Sequence, residues 1–62
     1  MEIKSSHKGQ TVKTVVLAAG DKDEALTYAL HHAGETKGSL FGWDVTEGED
    51  TPGIWTVKMY TD

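Results

Sequence analysis

The chain has 62 residues, ten acids against six lysines, and no cysteine, for a net charge of −4. This is enough for one small domain, residues 1–62, with a thin core, since about 60 residues bury only about 60% of their unfolded surface. The cysteine count excludes a disulfide-stapled mini-protein and any thiolate metal site.

Taken in chain order, Glu2–His7 has one strong apolar residue, Ile3, and a Lys8-Gly9 pair suited to a tight turn. It predicts an edge strand against the next segment, or a frayed start. Thr11–Ala19 is rich in valine and threonine with apolar residues on both alternating faces, the mark of an interior strand. Its Val15–Ala19 stretch is the longest apolar run, five residues, far below the about 20 that span a bilayer.

The strongest element is a helix over Lys22–Ala33. Asp21 supplies an N-cap, Glu24 a reciprocal capping partner, and Asp23 and Glu24 place negative charge on the positive end of the dipole. Leu26, Ala29, Leu30 and Ala33 recur on one face, and Gly34 is a natural left-handed stop.

Leu40–Glu47 and Ile54–Thr61 then alternate as strands. Phe41, Trp43, Val45 and Trp55 fall on the face expected to meet the alanine-rich helix, large rings against small residues. Between them, Thr51-Pro52-Gly53 has proline and glycine where a type II turn requires them. The expected fold is α+β: one helix on a mainly antiparallel sheet, ββαββ, or βαββ if the start frays.

Composition also narrows function. There is no arginine and the net charge is negative, which disfavours direct contact with nucleic acid, whose phosphates dominate affinity. His31 and His32 are adjacent, so they diverge by about 100° on a helix and cannot face one ion. They are read as basic side chains that complement the dipole at the helix end. No glycine-rich phosphate loop precedes a helix, and so thin a core leaves little room for a shielded pocket with an oxyanion site. The expectation is a non-enzymatic chain with no cofactor and no metal site.

Two groups of residues are candidates for partner contact. Asp44, Glu47, Glu49 and Asp50 lie within seven residues that contain no cation. They read either as a solvated connection or as a negative patch that steers a basic partner. The second choice is the outer helix face: Glu24, Tyr28 and His31, with Tyr28 placed opposite Leu26 and Leu30 on the helical wheel.

The stretch Val16-Leu17-Ala18, then Asp23-Glu24-Ala25-Leu26 and Ala29, a strand leading into a capped helix, resembles in layout the small phage-encoded inhibitors of bacterial RNA polymerase and several short anti-CRISPR proteins. That resemblance implies a non-catalytic inhibitor or modulator occupying a basic surface of a bacterial host protein, in the host cytoplasm. The implied chain contacts neither nucleic acid nor membrane directly, and is a monomer or small homo-oligomer. The strand order around Trp43 also resembles dodecins, βαββ proteins that form hollow oligomers and stack flavins between tryptophans. This implies, as the alternative, a homo-oligomer binding a flat aromatic ligand, although the acidic hairpin loop departs from that pattern.

Overall fold

A computed structural model describes residues 2–61. It contains strand β1 (Glu2–Lys8), strand β2 (Val12–Ala18), helix α1 (Lys22–Ala33), a short 3-10 turn at Lys37–Ser39, strand β3 (Gly42–Glu47) and strand β4 (Ile54–Tyr60). The four strands form one antiparallel sheet in the order β1-β2-β4-β3. The fold is therefore the expected α+β arrangement in its ββαββ form, with the amino-terminal segment paired rather than frayed.

Local chemistry accounts for each junction. At the β1–β2 turn the Gly9 N–H donates to Val12 O at 2.8 Å. Asp21 caps α1 by accepting the Glu24 N–H at 2.8 Å. The Glu24 carboxylate reaches back one residue further than a standard capping box, accepting the Gly20 N–H at 3.1 Å. At the other end Gly34 takes φ 73° and ψ 28°. The Glu35 and Gly34 amides donate to Leu30 O and His31 O, the double bond of a Schellman stop. A Gly34→Ala variant should lose about 1 kcal/mol in a denaturant titration, the cost of holding a β-carbon in the left-handed region.

Thr51–Ile54 is the expected turn: Ile54 N–H donates to Thr51 O at 3.0 Å and Gly53 sits at φ 85°. Pro52 supplies the preceding residue with its fixed φ. The expected β3 begins two residues late, because Lys37–Ser39 winds into a 3-10 turn that the alternating pattern did not reveal.

Paired residues in an antiparallel sheet share a face, so the register sorts the side chains. Val15 pairs with Val57, which pairs with Val45; Leu17 pairs with Trp55; Met59 pairs with Trp43. This is the face beneath α1. The core comprises Val15, Leu17, Val57 and Met59 from the sheet with Ala25, Leu26, Ala29 and Leu30 from the helix. Ile3, Tyr28, Ala33, Leu40, Val45 and Trp55 pack around it, partly buried. The Trp55 indole N–H is satisfied by Ala19 O at 3.1 Å. The opposite face, with Val12, Thr14, Val16, Thr56, Lys58 and Tyr60, has no helix over it. Antiparallel sheets tolerate one solvated face of this kind.

One ion pair ties the helix end to the sheet. Lys13 Nζ lies 2.6 Å from Glu35 Oε1, both partly buried. The Lys13 ammonium, and then the Ser39 hydroxyl donating to Oε2 at 2.7 Å, hold the Glu35 carboxyl below its ordinary value. A depressed carboxylate pKa contributes stability above the unfolded-state value, and that contribution is lost as pH falls through the folded-state value. Wild-type thermal stability should therefore decline on acidification below pH about 4.5 by a component that a Glu35→Gln variant lacks.

Candidate protein-binding surface

The exposed large apolar side chains gather at one end of the β3–β4 hairpin. Phe41 is 79% exposed, and Trp43 and Tyr60 are each 41% exposed. This corrects the expectation that Phe41 and Trp43 fill the core. A 12-residue helix is about 18 Å long, against about 23 Å for a seven-residue strand such as β4. Leu40 packs partly buried against the core, while Phe41 N–H donates to Tyr60 O at 2.9 Å and its ring is left exposed. Trp43 is on the helix side of the sheet, opposite Met59, yet lies outside the core cluster. The Lys37 ammonium stands 5.9 Å from the center of its ring, within range of a cation–π contact.

The acids follow along the same strand. Asp44, Glu47, Glu49 and Asp50 are all exposed, but they do not form one flat patch. Asp44 and Glu47 are three apart on β3, so they point to opposite faces. Asp44 sits across from Lys58 of β4 on the open face. Glu47 has a structural duty, since its Oε2 accepts the Gly53 N–H at 2.9 Å and closes the hairpin loop. Glu49 and Asp50 occupy the loop itself.

The outer helix face is depleted by packing. Tyr28, expected to point away from the core, is partly buried against it. A wheel projection assigns a direction to a side chain and does not register how far a long ring can reach back toward the core. Glu24 is committed to the Gly20 amide. Of that group only His31 is exposed.

A groove of about 230 Å³ opens between the carboxyl end of α1 and the β1–β2 hairpin, lined by Ser6, Lys8, Lys13, His32 and Ala33 among others. Its charges conflict: the helix end repels an anion and the lysines repel a cation. Lys13 is moreover bound to Glu35 and near Ala33 O. Among the described residues no three histidine, aspartate or glutamate side chains converge as metal ligands, and no helix is long and apolar enough to cross a membrane.

The strongest candidate surface is therefore the β3 margin. It runs from Phe41 and Trp43 through Asp44 and Glu47 to the acidic loop, over residues that sequence reading had divided between core and connection. The exposed Phe41 was not recognisable from alternation, because alternation assigns a face and not the extent of its cover. No family model matches the chain, and no curated protein or solved structure matches it either.

Proposed function

We propose that the chain is a non-catalytic protein-binding domain that holds a basic surface of another protein along its β3 margin. A bacterial host protein is the target class implied by its resemblance in layout to phage-encoded inhibitors. The observation that carries this reading is Phe41, 79% exposed, at the strand end where Trp43 on the helix side and Tyr60 on the open face are each 41% exposed. Exposed aromatics with a polar border are what binding anchors look like, large and rigid at little entropic cost. The acids beyond them supply complementary charge, which speeds and orients encounter.

The test is capture from bacterial lysate by the immobilised chain, with identification by mass spectrometry, followed by kinetics on the purified partner. A Glu49→Gln, Asp50→Asn variant should keep the wild-type melting temperature, because both side chains are exposed in the loop. Its association should be slower and less sensitive to salt, as exposed charges are screened over about 8–10 Å. Glu47 is left intact in that variant, since it holds the Gly53 amide. Unchanged association would remove the acids from the surface.

The half-exposed Trp43 favours one second reading, the oligomer that stacks a flat aromatic ligand. A large assembly that purifies with a yellow chromophore would establish it, and a colourless monomer or dimer would exclude it.

A further inference from the structure

The sheet has two free margins, and they are defended differently. β1 carries Lys4 and Lys8, and its register slips between Ile3 and Ser5. Lysines and an irregular ladder are the usual means of keeping an edge strand from pairing with another chain. β3 has a regular register from Gly42 to Glu47, with no lysine, no proline and no slip. Its polar backbone groups alternate in direction. The Gly48 N–H donates to Ile54 O at 2.9 Å, and in an antiparallel ladder this phase turns Gly42, Asp44 and Thr46 toward β4 as well. The amides and carbonyls of Trp43, Val45 and Glu47 therefore face outward, with no fifth strand beside them among the described residues.

We infer that this open margin takes an extended basic segment of the partner as a fifth, antiparallel strand. The inference rests on the binding function proposed above and specifies how that binding is made. Main-chain bonds to Trp43, Val45 and Glu47 hold the strand, and side chains select it. Residues opposite one another share a face, so the selected pattern follows from β3 itself. A cation lies opposite Glu47 on the helix side. Two residues later an apolar side chain extends the row of Val45, Val57 and Val15. The next residue is a second cation, opposite Asp44 on the open face, and the one after it is apolar, against Trp43. The preferred segment reads cation, any residue, apolar, cation, apolar. The two cations are on opposite faces because Asp44 and Glu47 are.

The probe is a short end-blocked peptide with the core Lys-Thr-Val-Lys-Val, titrated into the isotopically labelled chain. Amide exchange should slow at Trp43, Val45 and Glu47 and stay unchanged at Asp44 and Thr46, which already bond to β4. Replacing both peptide lysines with glutamate should weaken binding at least about tenfold, because like charges then face each other. N-methylation of the central valine, whose amide faces Val45, should do the same by removing one main-chain bond. Methylating the threonine amide, which faces away, should leave affinity unchanged. None of these peptide changes touches the protein's own folding.

Absence of binding, protection on other residues, or equal tolerance of the two methyl groups would overturn the inference. So would self-association of the free chain with β1 of one copy on β3 of the next. The two proposals fail separately. A captured partner that depends on Phe41 and Trp43, with no edge protection by the peptide, sinks only the strand-addition mode. A partner captured equally well without those two rings sinks the function reading, whatever the peptide does.

Discussion

Leu17→Ala and Met59→Ala should each remove about 2–5 kcal/mol of stability, the range for a large aliphatic side chain cut back in a packed interior. Both residues are completely inaccessible. They occupy the two central strands, β2 and β4, directly beneath α1, where backbone on both sides prevents the site from collapsing around a void. Total stability for 62 residues is on the order of 3–9 kcal/mol. Either variant should therefore lose a large part of it and lie near the unfolding threshold at growth temperature. Leu26→Ala and Leu30→Ala belong to the same range, with Leu30 toward its lower end because it stays 8% exposed. Denaturant midpoints measured for all four would check the ranking. A midpoint that scarcely moves for Leu17→Ala would mean that the helix does not sit over this part of the sheet.

A Phe41→Ser, Trp43→Ser double variant should behave in the opposite way. Phe41 has little native burial to lose, and Trp43 lies outside the core cluster. The Phe41 change alone should leave the melting temperature close to wild type, whereas the Trp43 change should lower it, since more than half of that side chain is covered and it lies across from Met59 on the helix side. Partner affinity should fall by about 2–4 kcal/mol, roughly 30- to 1000-fold, if these rings are the anchors of the interface. Calorimetry on the purified pair reads the affinity, and circular dichroism confirms the fold. The contrast between Phe41 and the leucine series is diagnostic: Leu17 and Met59 are inaccessible and maintain the fold, while Phe41 is 79% exposed and free for contact. A double variant that binds normally would shift the interface away from the β3 margin.

What could be read from sequence depended on whether the controlling interaction was local. The helix Lys22–Ala33 was legible to the residue because Asp21, Glu24, the leucine stripe and Gly34 all act within one or two turns. The Thr51–Ile54 turn was legible for the same reason: proline and glycine encode backbone angles directly. The Lys37–Ser39 turn was missed because its stabilising contacts, Ser39 with Glu35 and Thr36, use residues with no strong positional signature. For the candidate surface, the exposure of Glu49 and Asp50 followed from their place in a loop. The second role of Glu47 did not, since the amide it accepts from comes six residues later. Tyr28 and Phe41 were misplaced in opposite directions for one shared reason. Whether a side chain is covered depends on the width and length of the two layers, and neither dimension is written in a periodicity.

The strand order also determines how the domain must assemble. β1 with β2, and β3 with β4, are each joined by a short connection, so both hairpins can form early from near neighbours in the chain. The seam between β2 and β4 is different: there Val15 meets Val57 and Leu17 meets Trp55, and closing it brings together segments some forty residues apart. The entropy of closing that long loop falls on this one seam, so its formation should be the slow step and its side chains the ones that set the folding rate. Substitutions at Val15 or Val57 should slow folding. An edge strand with little cover can separate first, so β1, exposed from Lys4 to Lys8, can open while the β2–β4 seam stays shut. Hydrogen exchange would then register two levels of protection within a single sheet.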